Sequence, residues 1–599
     1  MKTCSSEDNR QRGGDGLGQH VTVYSDRRPA ALGETLLAAL SRMRISPLVA
    51  VLAAILLVLV VPPALFLLNV SLHETRPDGA FGAFTLRYYR GLFSERLFLS
   101  SLRNTLIYAF GSAAIAIAIG TAQALIVERT NTPGRKLAFF AAIISLGVPH
   151  ILYVVAWLLL LGRSGPVNDA IQVLLRHEHA IDVYSLWGMA LIEGIGFVPL
   201  TFLLMSAVLR SMDASFEEAA IMAGAKPSRA FWAVTLRMAT PALCALALLF
   251  FARAFESFEV PALVGLAGNI NVFTTTIYQA MHRTGTPSYG EAGAYSICLV
   301  GIVTVLLVWQ SRLSRHAHRY QTITGKGFRP RIIDLGAWRY PSAAILVVLF
   351  LVVTIVPVAM LVFTSLQPFY EGVSGAALAR SSFENYRVLL GPGSFRDSIA
   401  NTLILGAATA TVVVPFTALC AWLVVRRVPG AVLLDHLATL PLVFPALILS
   451  VAFLDVFVNM PLPLYGTLVS VIIASSVRYM PFGMRYAYTG ALQIHPDLES
   501  AATISGAPLG SLFRRIVIPL LTASLVSSWL VVFLLSVQVV ALPLLLVGPG
   551  SEVMAVTLFE LWQNGQVTEL ASMGVVWIAL MTVVSTIFYM LTRHRQIMA

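Results

Sequence analysis

The chain contains 599 residues, of which 57% are hydrophobic and 12% are charged. Because about 25% of the residues are charged in a typical soluble domain, this composition excludes an ordinary soluble protein and predicts one that lies in a lipid bilayer. The net charge of +11 is typical of Lys- and Arg-rich cytoplasmic loops, so no nucleic-acid partner is predicted.

Apolar runs long enough to cross a bilayer predict twelve helices, since one span needs about 20 residues. The first six are expected near residues 46–72, 101–127, 137–161, 184–209, 238–264 and 293–311. The second six are expected near residues 342–366, 398–425, 432–458, 464–490, 519–547 and 572–592. We therefore predict an all-α integral membrane protein with two six-helix domains, 46–312 and 341–592.

Three polar segments flank these domains: a tail at 1–45, a connector at 313–340 and a tail at 593–599. The only acidic residue in and next to the connector is Asp334. The basic residues there are Arg312, Arg315, Arg319, Lys326, Arg329, Arg331 and Arg339. Since positive charge is retained on the cytoplasmic side, the connector and both termini are expected to be cytoplasmic. Four arginines in segment 73–100 would then lie outside, which strains this topology.

An internal repeat relates the two halves. Residues 216–225 align with residues 498–507, and Gly224 corresponds to Gly506, 282 positions later. Upstream, Ser101-Leu-Arg-Asn-Thr matches Ser398-Ile-Ala-Asn-Thr at an offset of 297. An even number of spans in each half predicts two parallel repeats related by an axis along the membrane normal, with a central pathway between them.

Between the fourth and fifth spans of each half lies a polar stretch that we call the duplicated loop, which contains the aligned residues 216–225 and 498–507. Alanines favour a short helix there, a glycine marks its stop, and a proline follows. Acidic residues near its start suit the positive end of the helix dipole. The candidate docking residues are Glu217, Glu218, Ala219, Ala220 and Gly224 in the first copy, and Glu499, Ala501, Ala502 and Gly506 in the second.

The duplicated loop resembles the EAA loop of ATP-binding-cassette importer permeases, whose pattern is Glu-Ala-Ala, a few residues, then Gly. This resemblance implies that each copy is a coupling helix seated in a cleft of a separate ATPase subunit, with two ATPase copies in all. In the second copy Ser500 stands at the position of Glu218, so the acid is displaced by one residue. A chance helix-forming triplet would explain one copy, but hardly two in register.

Residues 46–592 resemble the fused permeases of ferric iron importers and their relatives for thiamine, polyamines and phosphonates. That resemblance implies a MetI-like fold in the bacterial inner membrane and a periplasmic binding protein that delivers the solute, most simply ferric iron. We find no GxxxxGK[ST] phosphate loop, so ATP hydrolysis is assigned to the separate subunit. The chain is expected to be no enzyme and to bind no cofactor or metal of its own.

Ionisable residues inside spans are candidates for the solute pathway. Glu256 and Glu259 share a helical face with Arg253 one turn before, and Arg478 and Arg485 lie in the tenth span. The carboxylates would suit a hard cation, the arginines an anion, and a structural Arg253–Glu256 pair is the alternative. His150 is expected to be a packed core histidine, and Asn104 and Asn401 to bond between helices.

A secondary transporter is the rival class, because it also uses parallel repeats and needs intramembrane carboxylates for its coupling ion. Glu193, Glu256 and Asp455 could supply these carboxylates, although a secondary transporter leaves the duplicated loop unexplained. An enzyme with an intramembrane active site has no supporting motif.

Overall fold

The computed structural model describes residues 46–75, 81–94, 96–175, 181–210, 212, 215–282, 288–317, 332–389, 391 and 394–598. The predicted tail 1–45 and connector residues 318–331 lie outside this described part. Within it, ten helices are long and apolar enough to cross a membrane, and one bent pair would make eleven. The multi-pass helical architecture is confirmed, but the predicted count of twelve spans is not.

The helices follow the predicted order. Those of the first half are α1 (Pro47–Leu72), α2 (Arg87–Ser94), α3 (Arg96–Arg129), α4 (Arg135–Gly147), α5 (His150–Leu161), α6 (Pro166–Leu175), α7 (Leu186–Arg210), α8 (Ser215–Met222), α9 (Pro227–Ala230), α10 (Leu236–Phe255), α11 (Phe273–Met281) and α12 (Tyr289–Ala317). Two short strands, β1 (His73–Thr75) and β2 (Phe81–Phe84), form an antiparallel hairpin that the all-helical prediction lacks.

Those of the second half are α13 (Arg339–Phe350), α14 (Val356–Ser365), α15 (Gly375–Ala379), α16 (Glu384–Leu389), α17 (Ser394–Val425), α18 (Val432–Thr439), α19 (Ala446–Asn459), α20 (Leu468–Leu492), α21 (Pro496–Ile504), α22 (Leu509–Leu512), α23 (Ile518–Gln538), α24 (Met554–Gln563) and α25 (Val567–Met598). The predicted span 464–490 corresponds to α20, which is not among the ten apolar spans and which carries both Arg478 and Arg485.

The third predicted span of each half is broken rather than continuous. In the second half, residues 432–443 and 446–459 meet at an angle of 105°. The residues at the two breaks, Val148 and Phe444, are extended because each precedes a proline, Pro149 or Pro445, whose ring disfavours helical backbone before it. The predicted fifth and eleventh spans likewise end early, at Phe255 and Gln538.

The second and fourth spans of each half pack closely, α3 on α7 and α17 on α20. Glycines allow this approach. A methyl group at Gly120 would lie 2.5 Å from Cβ of Thr201, and one at Gly483 would lie 2.5 Å from Oγ1 of Thr417. Small residues at such crossings replace the hydrophobic driving force that a lipid environment does not supply.

The repeat predicted from the sequence is visible in paired hydrogen bonds. The backbone amides of Phe273 and Met554 donate to the hydroxyls of Thr105 and Thr402 at 3.0 and 2.8 Å. Further matched contacts join Ser101 to Thr276, Ser398 to Thr557, Asn104 to the carbonyl of Asn271 and Asn401 to the carbonyl of Glu552, each at 3.0 Å. The two asparagines therefore hold backbone segments, which is close to the bonding between helices expected for them.

The two halves also pack against each other through their first spans. Helix α1 of the first half packs on α18 and α19 of the second, and α14 of the second half packs on α5 of the first. Each half thus lays its first span against the broken third span of its partner half.

Candidate coupling loops and translocation site

Both copies of the duplicated loop form the same local structure. Helices α8 and α21 are stopped by Gly224 and Gly506, whose φ angles are +90° and +80°. The amide of Ala225 donates to the carbonyl of Ala220, and the amide of Ala507 donates to that of Ala502, at 3.0 and 3.1 Å. This is the Schellman helix stop, which needs a left-handed residue that glycine supplies at little cost.

Each short helix is anchored to the second span of its own half by a buried acid. Arg129 at the end of α3 lies 3.4 Å from Glu217, which also accepts a hydrogen bond from Thr235. In the second half, the guanidinium of Arg426 holds Glu499 through two nitrogens, at 2.5 and 2.9 Å. The indole of Trp422 donates to Glu499 at 3.1 Å, so the second anchor is the more complete one.

These contacts show which of the acids in the two copies are equivalent. Glu217 and Glu499 are 282 positions apart, the offset of the repeat, and both are buried. Glu218 and Ser500 are both exposed at the next position. Ser500 therefore does stand at the position of Glu218, and the acid that the two copies share is the buried one, Glu217 in the first copy and Glu499 in the second.

The other loop residues face outward. Ala219, Gly224, Ala501 and Gly506 are exposed, while Ala220 and Ala502 are half-buried. Four apolar side chains lie beside them at equivalent places, with exposures of 46% for Phe216, 88% for Met222, 50% for Leu498 and 87% for Ile504. Each copy therefore presents a small apolar surface on a helix that is fixed from behind by an ion pair.

The structure brings three of the five predicted pathway residues together across the halves. Glu256 lies 3.0 Å from Arg253 of its own half and 3.5 Å from Arg478 of the other. Arg478 is buried and also donates to the carbonyl of Phe444 at 2.7 Å, at the break before α19. Glu256 with its two arginines is thus a contact between the halves, and not only the Arg253–Glu256 pair considered as the alternative.

The remaining two predicted residues lie apart from this contact. Arg485 is exposed and forms no ion pair with any residue in the described part of the chain. Glu259 lies 3.9 Å from Nδ1 of His150, whose Nε2 lies 3.5 Å from Glu193. His150 therefore lies between two carboxylates, unlike the packed core histidine that we expected. The sequence did not indicate these contacts, because the two partners follow 43 and 109 positions later.

Residues 114–319 match the family described as "Binding-protein-dependent transport system inner membrane component". The ferric transport system permease protein FbpB of Actinobacillus pleuropneumoniae is 24% identical over 506 residues, 84% of this chain and 71% of that protein. PhnU of Salmonella choleraesuis, named for 2-aminoethylphosphonate transport, is 28% identical over 42% of this chain and 87% of that protein. One chain of a bacterial alginate ABC transporter, solved with a periplasmic protein that holds an alginate pentasaccharide, covers 39% of this chain and 84% of its own length at 18% identity and a TM-score of 0.34.

Proposed function

We propose, from the match of residues 114–319 to the family of binding-protein-dependent transport system inner membrane components, that the chain is the fused permease of an ATP-driven importer of ferric iron. The observation that carries the importer mechanism is the duplicated loop, in which two equivalent helices are each anchored by a buried glutamate that is paired with an arginine. The proposed location is the bacterial inner membrane, with both termini cytoplasmic.

In this proposal the duplicated loop couples the chain to two copies of an ATPase subunit. The exposed Met222 and Ile504 would enter a cleft of each ATPase, because burial of such side chains contributes about 1.5–3 kcal/mol each. The Arg129–Glu217 and Arg426–Glu499 pairs would pass the movement of the loops to the second spans. ATP binding draws the two loops together and opens the pathway outward, towards a periplasmic binding protein that delivers the solute.

Two observations support ferric iron as the cargo. The similarity to FbpB extends over 84% of the chain and so includes both halves, whereas PhnU, matched over 87% of its own length, corresponds to 42% of the chain. In addition, Arg253 and Arg478 are both paired with Glu256, which offsets one of their two positive charges, and Glu193 and Glu259 add two further carboxylates in the same half. Carboxylate oxygens are the ligands that hard cations prefer.

A phosphonate is the second candidate cargo, favoured by the presence of a buried Arg478 between the halves. Thiamine and polyamines remain alternatives from the family resemblance. An ion-coupled secondary transporter is disfavoured by the anchored, glycine-stopped loops, which such a mechanism does not use.

Transport by the reconstituted complex tests the proposal. The chain, its ATPase and its binding protein are placed in proteoliposomes, and uptake of radioactive iron is measured with and without ATP. We expect iron uptake that requires ATP and both partners. ATP-dependent uptake of 2-aminoethylphosphonate or thiamine without iron uptake would refute the cargo, and uptake by the chain alone under an ion gradient would refute the importer mechanism.

A further inference from the structure

The end of the first half that lies opposite the duplicated loop carries exposed arginines. Helix α3 ends at Arg129, which pairs with Glu217 of the duplicated loop. Arg103 and Arg96 precede Arg129 on this helix by 26 and 33 residues, which at 1.5 Å per residue places them about 39 and 50 Å away from it. A bilayer is about 40–45 Å thick including its headgroups. With Arg129 at one membrane surface, Arg103 and Arg96 therefore reach the headgroups of the other.

Arg103 lies on a face of α3 that is exposed and otherwise apolar. Leu99, Leu106 and Phe110 are four residues before it and three and seven residues after it, so all of them share this face. Their exposures are 62%, 42% and 71%. Water does not favour so apolar a face, whereas lipid acyl chains do. Arg103 is thus surrounded by lipid-facing side chains, and its long stem allows the guanidinium to extend to the headgroups.

Helix α2, which packs on the start of α3, presents two more arginines. One face of α2 is fixed to the protein, because Tyr89 donates to the hydroxyl of Ser71 at 2.8 Å and Leu92 is buried. Arg87 and Arg90, three residues apart, are exposed. Four exposed arginines at this end form no ion pair with any residue that the structure describes. We call them the outer arginines: Arg87, Arg90, Arg96 and Arg103.

The second half builds the same structure with other residues. Tyr386, 297 positions after Tyr89, contacts the hydroxyl of Ser365 at 2.6 Å, as Tyr89 contacts that of Ser71. At this offset the outer arginines correspond in order to Glu384, Arg387, Gly393 and Ala400. Arg387 is paired with Glu384 at 3.4 Å. The fold therefore does not require the outer arginines.

The charge of this segment also differs between the halves. Residues 73–110 contain five arginines and three acidic residues, whereas the equivalent residues 370–407 contain three of each. In the proposed orientation the segment lies outside, where an excess of positive charge is disfavoured. An anionic partner for the outer arginines would account for this excess.

We propose that the outer arginines bind the headgroup of an anionic phospholipid in the outer leaflet, at the first half only. Guanidinium groups bind phosphate oxygens through paired, charge-assisted hydrogen bonds. The apolar face around Arg103 provides the contact for the acyl chains. A soluble protein could approach α2 but would not cover that face, which continues along the span, so the surface fits a lipid better than a protein. The inference does not depend on the cargo.

Lipid binding to the purified chain in detergent tests this proposal. The chain is titrated separately with phosphatidylglycerol and phosphatidylcholine, and bound lipids are counted by mass spectrometry of the intact protein. We expect phosphatidylglycerol to bind preferentially. Its binding should weaken about fivefold in Arg96→Gln and about 25-fold in the double variant Arg96→Gln, Arg103→Gln, because each arginine near a membrane surface contributes about 1 kcal/mol.

The matched control is Arg387→Gln, which removes an exposed arginine that is already paired within the second half. It should change phosphatidylglycerol binding by less than about twofold. Loss of binding in the double variant, with the control unchanged and all proteins monodisperse, supports the site.

Three outcomes would overturn the lipid site. The first is equal binding of the two lipids by the wild type, and the second is unchanged phosphatidylglycerol binding in the double variant. The third is weaker capture of the periplasmic binding protein by the double variant with unchanged lipid binding, which would assign the outer arginines to that protein instead.

Discussion

At the scale of single residues, charges in this membrane protein are placed in pairs that differ between the halves. The first half carries Glu256 and Arg253, while the second half contributes Arg478 to the same contact. An ionisable group inside a span is costly unless it is paired, so each of these side chains depends on the others. The contact that joins the halves therefore also offsets the charge of the buried Arg478, whereas Arg253 remains half exposed.

Replacement of Arg478 tests this dependence. We expect Arg478→Gln to lower the free energy of unfolding by about 1.5–3 kcal/mol, the usual contribution of a hydrogen bond to a charged group, because Glu256 keeps only Arg253. Arg485→Gln, seven residues later on the same helix and exposed, should change it by less than about 0.5 kcal/mol. Denaturant unfolding in detergent measures both, and equal effects would contradict a special role for the contact.

At the scale of elements, the duplicated loop repeats more than its helix and its glycine. After each glycine a single turn of α-helix, α9 or α22, leads into a π-helical turn, at Phe231–Thr235 in the first copy and at Phe513–Val517 in the second. Such wide turns are rare and occur often at functional sites. The loop and the start of the next span thus have the same order of helical elements in both halves.

The glycine stops can be tested directly. Alanine at Gly224 or Gly506 must adopt a positive φ, which costs about 1–2 kcal/mol for a residue with a side chain. We expect the double variant Gly224→Ala, Gly506→Ala to insert normally but to lose most ATP-driven transport, because α8 and α21 would extend past their stops. Gly510→Ala, which meets open space within α22, should transport normally. Wild-type uptake by the double variant would argue against the coupling role.

At the scale of the whole molecule, the two halves are tied together at several levels. The first span of each half packs against the other half. The described end of the connector is hydrogen-bonded to the first half next to Arg129, the residue that pairs with Glu217. The amide of Ile333 donates to the carbonyl of Arg129 at 2.8 Å, and Asn131 donates to Asp334 at 2.5 Å. Arg129 therefore contacts both its own loop and the start of the second half.

The connector contact should be sensitive to acid. Hydrogen bonds from the Gly336 amide and the Asn131 side chain lower the pKa of Asp334. The bonds to the carboxylate are thus complete at neutral pH and are lost as the pH falls through this lowered pKa, below the ordinary value of about 3.9. We expect faster hydrogen exchange at the amides of Ile333 and Leu335 in Asp334→Ala at pH 7 than in the wild type. Unchanged exchange in that variant would contradict the fastening role.

The sequence alone determined the membrane class, the parallel repeat and the glycine-stopped loops, because apolar run length and a Gly–Pro stop act within a few residues of chain. It did not place Arg478 beside Glu256, 222 positions earlier, or His150 between Glu193 and Glu259. Those contacts depend on how the halves pack and on the breaks at Pro149 and Pro445, and spacing along one chain does not specify a register between helices that are distant in sequence. Tertiary structure alone decided which buried charges neutralise one another, since Coulomb attraction acts over a few ångströms of space whatever the distance along the chain.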